Sequence, residues 1–304
     1  MAAAVEVTDF RKVYGDFVAV DGISFGVETG QIFGLLGPNG AGKTSTLESL
    51  EGLRSPSGGT LRVVGVDPVK EPGKLRDVIG VQLQSAGLPE TITPTEAMRL
   101  FCAYHRVAPR IDLLDRLGLI DKADTQYVEL SGGQQRRLVL ALAIAHDPQV
   151  LFLDEPTAGL DVPARAELHR LVGELRVSGT TIILATHDMA EAEEIADRVA
   201  ILLSGEIAAI GTPRDITAAG AGVTKVSVRT EKGSLAASDI TFPAVQRHHW
   251  EDDYAIYFST DIGPTVGAII RFVETNRDGL VDLRVERPSL EDRFLEIANT
   301  AGTS

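Results

Sequence analysis

The stretch "GQIFGLLGPNGAGKTSTLESL", Gly30 to Leu50, decides how the chain is read. Its first part is short and apolar, as a buried strand is, and it runs straight into glycines. From Lys43 onward the periodicity turns helical. Strand, glycine loop and helix in that order are the context that G-x-x-x-x-G-K-[ST] needs to bind phosphate. Gly37, Gly42, Lys43 and Thr44 fill that pattern. The glycines let backbone N–H groups close around phosphate oxygens, and the helix adds its positive end. Lys43 is then placed to reach β- and γ-phosphates, and Thr44 to ligate Mg²⁺.

Upstream, "VEVTDF" and "VAVDGISFGV" read as strands, and downstream "TLRVVGVD" and "IGVQLQ" do too. From Pro94 to about His146 the pattern is helical. Short apolar runs then return as "VLFLDEP", "TTIILATH" and "RVAILLSG", with helical segments between them. Buried strands alternating with helices predict an α/β fold with a mostly parallel sheet covered on both faces. Ligands in such sheets bind beyond the carboxyl ends of the strands. The loops after "LLG", "LFLDE" and "ILATH" are therefore expected to converge. Past Pro213, the glycine- and alanine-rich 214–221 reads as a linker, and 222–304 as a small α+β module.

Bulk properties narrow the function classes. The net charge of −14 argues against a nucleic-acid surface, which relies on basic patches. The one cysteine, Cys102 in "RLFCAYH", reads as a small core residue. Glu6 and Asp9 interrupt the apolar start too early for a signal peptide. The longest apolar run, Leu138 to Ala145, is far short of the ~20 residues that span a bilayer.

Other stretches carry chemistry. "VLFLDEP" ends a strand in Asp154 and Glu155, a pairing that packing alone does not favour, because buried unpaired charge is costly. Asp154 suits a Mg²⁺ ligand, and Glu155 a general base that polarises the attacking water. His187 sits just past another buried strand; alone it reads as structural, and on the shared edge it reads as a γ-phosphate neighbour. Gln84 follows a strand in the same way. Tyr14, ahead of the glycine loop, has two readings: stacking on adenine or core packing.

"LSGGQQRRL", Leu130 to Leu138, is a second glycine-bearing helix start. Ser131 with Gln134 forms a capping box, which accounts for those two residues. It does not account for Gly132 and Gly133, each costing ~1 kcal/mol against alanine in a helix interior. They leave a bare helix N-terminus that something anionic can approach.

Taken in order, "GPNGAGKTS", Gln84, "LSGGQQRR", "LFLDEPTAGLD" and "ATHD" resemble the nucleotide-binding subunit of an ABC transporter over about residues 5 to 213. The resemblance implies a P-loop NTPase core with an N-terminal antiparallel β subdomain and an inserted helical subdomain at about 90–146. It implies ATP and Mg²⁺ as cofactors, with Asn39, Gly40 and Ser45 joining the other loop residues on the nucleotide. It makes Tyr14 the adenine-stacking aromatic, Gln84 a Mg²⁺-linked sensor, and His187 the residue that holds the γ-phosphate. In this family two copies pair head to tail, so Ser131, Gly132, Gly133 and Gln134 complete the neighbour's ATP site, and Asp161 communicates between the two. The implied partners are a second ATPase subunit and an integral membrane permease, at the inner face of the cell membrane.

The tail, "EIADRVAILLSGEIAAIGTP" followed by a module ending "RPSLEDRFLEIA", is similar to ABC-2 type multidrug and antibiotic-resistance exporters. Ser289 with Asp292 is equally an ordinary N-cap of a last helix. A soluble ABC ATPase acting on ribosomes or nucleic acid is the alternative, weakened by the single ATPase unit and the absence of a heptad tract. A nucleotide-binding regulator that hydrolyses little is opposed by the intact Glu155. His248 and His249 lack a recognisable ligand spacing and read as surface residues.

Overall fold

Two long strands open the chain, β1 (Ala3–Tyr14) and β2 (Phe17–Glu28), pairing antiparallel across a two-residue turn. They largely alternate apolar and polar residues, so Val5, Val7, Val20 and Val27 are buried while Glu6, Thr8, Asp21 and Glu28 meet solvent. The computed structural model describes residues 3–82, 87–219, 223–236, 241–286 and 288–301. Strand β3 (Ile32–Leu36) is buried at every position and delivers the chain to α1 (Lys43–Leu50). β4 (Gly58–Val63) returns to β1, completing a three-stranded antiparallel sheet of order β2-β1-β4. Helix α2 (Pro72–Val78) starts on a proline, whose missing N–H costs nothing in a first turn, and leads into β5 (Ile79–Gln82).

The helical segment holds α3 (Pro94–Tyr104), α4 (Ile111–Arg116) and α5 (Gly132–Ile144). Thr93 and Glu96 form a capping box on α3, and Ser131 and Gln134 form one on α5. Cys102 is fully buried, its sulfur 3.6 Å from that of Met98. Then follow β6 (Val150–Asp154), α6 (Val162–Val177), β7 (Thr181–Thr186), α7 (Met189–Ile195), β8 (Arg198–Leu203) and β9 (Glu206–Gly211). The central sheet has the order β5-β6-β7-β3-β8-β9, parallel except for β9.

Because successive side chains of a strand face opposite ways, this sheet feeds two cores. Phe33, Leu35, Phe152 and Ile183 join Leu47 and Leu50 of α1 and the antiparallel sheet on one face. Ile32, Leu151, Leu153 and Leu184 join α3, α5 and α6 on the other.

Residues Met1–Thr212 form one compact unit and Pro213–Ser304 a second. The second comprises α8 (Pro213–Ala218), β10 (Thr224–Thr230), β11 (Val245–Glu251), β12 (Tyr254–Ser259), α9 (Ile262–Thr275), β13 (Leu280–Glu286) and α10 (Leu290–Ala301). Its antiparallel sheet runs β11-β12-β10-β13, and Ile269 and Val273 of α9 pack on Val226, Val228 and Tyr257. Ser289 and Asp292 cap α10 reciprocally.

The expected linker at 214–221 needs correction. Its first residues belong to α8, because Pro213 suits a helix start, alanine favours the helix, and Ile216 finds a buried seat. His248 and His249 lie on the edge strand β11, exposed, opposite Tyr257 and Ile256.

Candidate functional site

The strand order β6-β7-β3 carries three loops to one sheet edge. In register, Leu36 lies beside Thr186 and Asp154 beside Ala185, so Gly37, Glu155 and His187 leave adjacent strand ends. The convergence expected from the apolar runs is thereby present.

The glycine loop is closed by its own chain. Gly42 has φ 105°, and a Cβ there would meet the Ala19 carbonyl oxygen at 2.7 Å. Gly37, at φ 151°, would place a Cβ 2.3 Å from the Leu202 carbonyl. Lys43 Nζ donates to the Gly37 carbonyl at 2.7 Å and the Pro38 carbonyl at 3.2 Å. It lies 3.9 Å from Glu155 Oε1. Burial lowers the Lys43 pKa, and the charges of Glu155 and Asp154 oppose that shift.

Beside the loop is a cavity of about 170 Å³, walled by Gly40, Gly42, Lys43, Thr44 and Ser45. Asn39 and Glu155 also face it. Tyr14 stands at its edge, 37% exposed, its hydroxyl 3.3 Å from Ser45 Oγ. Of the two readings left open for Tyr14, core packing is thus excluded. Phe17, 62% exposed, lines the same cavity and was not singled out from sequence. Its signal was available: Tyr14 and Phe17 are cross-strand partners flanking the β1–β2 turn.

Asp154 is buried, and Thr44 Oγ1 donates to its Oδ2 at 3.3 Å. Its Oδ1 is also buried and has no partner among the described residues. Burial pushes the Asp154 carboxyl up, the Thr44 bond pulls it down, and the Glu155 charge raises it further. A carboxylate oxygen left bare beside a hydroxyl is a donor set that fits a hard divalent cation. Gln84 lies outside the described residues. At the C-cap of α1, Glu51 is buried, and desolvation, aided by Asp154 and Glu48, pushes it up to about 8.

Glu155 and His187 meet directly. The His187 backbone N–H donates to Glu155 Oε1 at 3.1 Å, and its Nδ1 lies 2.8 Å from Oε2. Glu155 itself has φ 49°, the left-handed region that side-chain-bearing residues rarely adopt. Its carbonyl accepts a bond from Arg136 Nη1 at 2.7 Å, a contact that no side-chain motif announces.

The second glycine pair is built differently. Ser131 Oγ accepts from the Gln134 N–H at 3.3 Å, and Gln134 Oε1 from the Ser131 N–H at 2.8 Å. Among the described residues, a Cβ on Gly132 would meet nothing within 4 Å, and one on Gly133 only Leu160, at 3.5 Å. Asp161 caps α6 by accepting from the Ala164 N–H at 2.9 Å. None of Ser131, Gly132, Gly133, Gln134 and Asp161 lines the cavity beside Lys43.

A glycine loop at a helix N-terminus, a hydroxyl–carboxylate pair and a second carboxylate at neighbouring parallel strand ends define a P-loop nucleoside triphosphatase. The ABC transporter family matches residues 20–158. Nod factor export ATP-binding protein I of Cupriavidus metallidurans is 34% identical over 98% of both chains. Daunorubicin resistance ATP-binding protein DrrA3 of Streptomyces coeruleorubidus is 34% identical over 97% of this chain and 95% of that one. A solved ATP binding subunit of an ABC transporter superposes with TM-score 0.67 at 28% identity, covering 70% of this chain and 91% of that one. The dimeric cassette MJ0796 bound to ADP and Pi shares the fold, with TM-score 0.64 at 24% identity over 68% of this chain and 98% of that one. The chain belongs to the ABC transporter family, as an ATP-binding subunit of the ABC-2 exporter type, and it is an ATPase. No helix among the described residues is long and apolar enough to cross a membrane.

Proposed function

We propose that this chain hydrolyses ATP as one half of a head-to-tail pair and so drives a separate membrane permease that exports a drug, antibiotic or lipid-like compound. The observation that carries the reading is the open helix start at Gly132, where an added Cβ would meet nothing within 4 Å among the described residues. A bare N-terminus with two glycines is a phosphate seat, and the chain's own nucleotide cavity lies elsewhere.

In this mechanism the backbone N–H groups of Gly40 to Ser45 hold the phosphates of ATP. Lys43 exchanges the Gly37 and Pro38 carbonyls for phosphate oxygens, a small rotation for a side chain already aimed into the loop. Thr44 and Asp154 would hold Mg²⁺, which when bound neutralises phosphate charge as the γ-phosphoryl group leaves. Gln84 would join them, and Tyr14 would stack on adenine. Glu155 accepts the proton of the attacking water, and His187 fixes its carboxylate and holds the γ-phosphate. The partner copy supplies Ser131, Gly132, Gly133 and Gln134, and Asp161 links one site to the other.

The permease would dock on the helical segment of about 90–146, with Gln84 as hinge, placing the chain at the inner face of the membrane. If transport coupling in a reconstituted exporter is unchanged in Gln84→Ala, the hinge assignment fails. The 222–304 module would support pairing or regulation, and unchanged pairing and ATPase rate after its deletion would dismiss that role.

Light scattering on Glu155→Gln, with and without Mg·ATP, tests the pairing. A monomer that becomes a dimer only with ATP is the expected result. A persistent monomer with verified ATP binding means that another chain must bring the second cradle.

A further inference from the structure

Glu155 is held from several sides, and one hold comes from another part of the fold. A φ of 49° at a residue with a Cβ persists only where the surroundings over-determine the backbone. Here the Glu155 N–H donates to the Ala185 carbonyl at 2.9 Å, and its carbonyl accepts the Ala158 N–H at 3.2 Å. The same carbonyl accepts Arg136 Nη1 at 2.7 Å, half-buried, the shortest of the three and the one with a charged donor. Ala185 and Ala158 belong to the strand ends and the loop around the base, whereas Arg136 belongs to α5.

Where Arg136 sits on α5 matters. It lies one helical turn beyond Gly132, so one stretch of rigid helix carries both the open cradle and the guanidinium. The capping box fixes the start of that stretch, and Leu138 and the buried run after Leu140 anchor the rest. A displacement of the cradle therefore moves the guanidinium with it. The guanidinium in turn pulls on the peptide that sets Glu155.

We propose that Arg136 is a positioning residue that ties Glu155 to the cradle of its own chain. Engagement of that cradle by a second copy's nucleotide then sets the general base of this copy's site. The inference rests on the pairing reading above. Its consequence is cooperativity: ATP seated at one site of a pair organises the base at the other.

Steady-state ATPase assays against ATP concentration on the full chain test it, with Arg136→Ala and Arg136→Lys. Loss of a half-buried charge-assisted bond is expected to lower kcat of Arg136→Ala about ten- to a hundredfold. KM is expected to change less than about twofold, since Arg136 does not line the nucleotide cavity and its guanidinium bonds the Glu155 carbonyl. The Hill coefficient is expected to fall to that of independent sites. Arg136→Lys keeps a cationic donor and is expected to recover part of kcat together with part of the cooperativity. ATP-driven dimerisation of the Glu155→Gln/Arg136→Ala chain is expected to persist, which separates a misplaced base from a lost pair.

Unchanged kcat and cooperativity in Arg136→Ala would overturn the proposal. So would a parallel loss of kcat, KM and pairing, which marks a merely structural contact. A wild-type chain that neither pairs nor shows cooperativity removes the pairing reading and this coupling with it. Intact pairing in an Arg136→Ala chain that stays cooperative removes the coupling alone.

Discussion

Two glycine-bearing helix starts, at Gly42 and at Gly132, look alike in sequence and differ in what surrounds them. At the first, the chain's own atoms crowd the glycine: φ is 105° and the Ala19 carbonyl stands where a Cβ would go. That glycine is required by the fold itself. At the second, Gly132 has no such backbone demand and, among the described residues, no neighbour within 4 Å of an added Cβ. Its cost in helix propensity is repaid by no close approach among the described residues. A glycine that the fold needs says little about what binds there; a glycine that the fold does not need points outward.

Substitutions at the two starts can break this contrast. Gly132→Asp puts a carboxylate where phosphate would sit, and kcat is expected to fall about a thousandfold or more, the scale of trans-acting groups in other NTPases. Thermal unfolding of that variant should match the wild type, because the site is open. Gly42→Ala is expected to destabilise the fold by about 3 kcal/mol, through left-handed strain and the clash at Ala19. The same alanine at Gly132 is expected to be neutral or to add up to ~1 kcal/mol. Denaturant titrations of the two alanine variants decide between these outcomes, and equal destabilisation would dissolve the distinction.

A smaller effect sharpens the first cradle. Tyr14→Ala is expected to raise KM for ATP about tenfold, at the low end of the 1–3 kcal/mol typical of base–aromatic stacking. Phe17→Ala, on the same cavity, tests whether the second exposed ring shares that work.

The smallest effect belongs to a contact remote from both starts. His169 of α6 is held above its ordinary pKa by its bond to Glu191, with burial opposing and Glu194 assisting. Its folded-state pKa exceeds the unfolded one, so its contribution is fully present below the unfolded value of 6.5 and is lost as pH rises through the folded value. His169→Gln is expected to cost roughly 1 kcal/mol or less at pH 5.5, after solvent screening, and close to nothing at pH 9. Denaturant midpoints of both chains at the two pH values measure it.

Much of this was legible because the central strands are apolar runs punctuated by chemistry. β6 ends in Asp154, while β3 and β7 run directly into Gly37 and His187, so strand and site are announced together. The edges were harder. Strand β9 is half-exposed along its length, and β11 reads "VQRHHWE", polar because an edge strand meets solvent. Helix α8 hides in alanine- and glycine-rich sequence that looks like a linker. Arg136 was unreadable for another reason: its partner is a carbonyl of the backbone, and no side-chain pattern encodes that.

The central claim, that the open cradle serves a neighbour's nucleotide, is met most directly by mixing two inactive chains. Lys43→Ala spoils the nucleotide loop and keeps the cradle, while Gly132→Asp spoils the cradle and keeps the loop. Random pairing of equal amounts places one complete composite site in each mixed pair, about a quarter of the wild-type total. The account predicts that the mixture hydrolyses ATP above the two chains assayed apart, at about that fraction of the wild-type rate where each composite site works alone. The rate is about ten- to a hundredfold below that where the spoiled cradle of the loop-bearing chain leaves Arg136 unable to set its Glu155. A mixture no more active than the two chains assayed apart would contradict it.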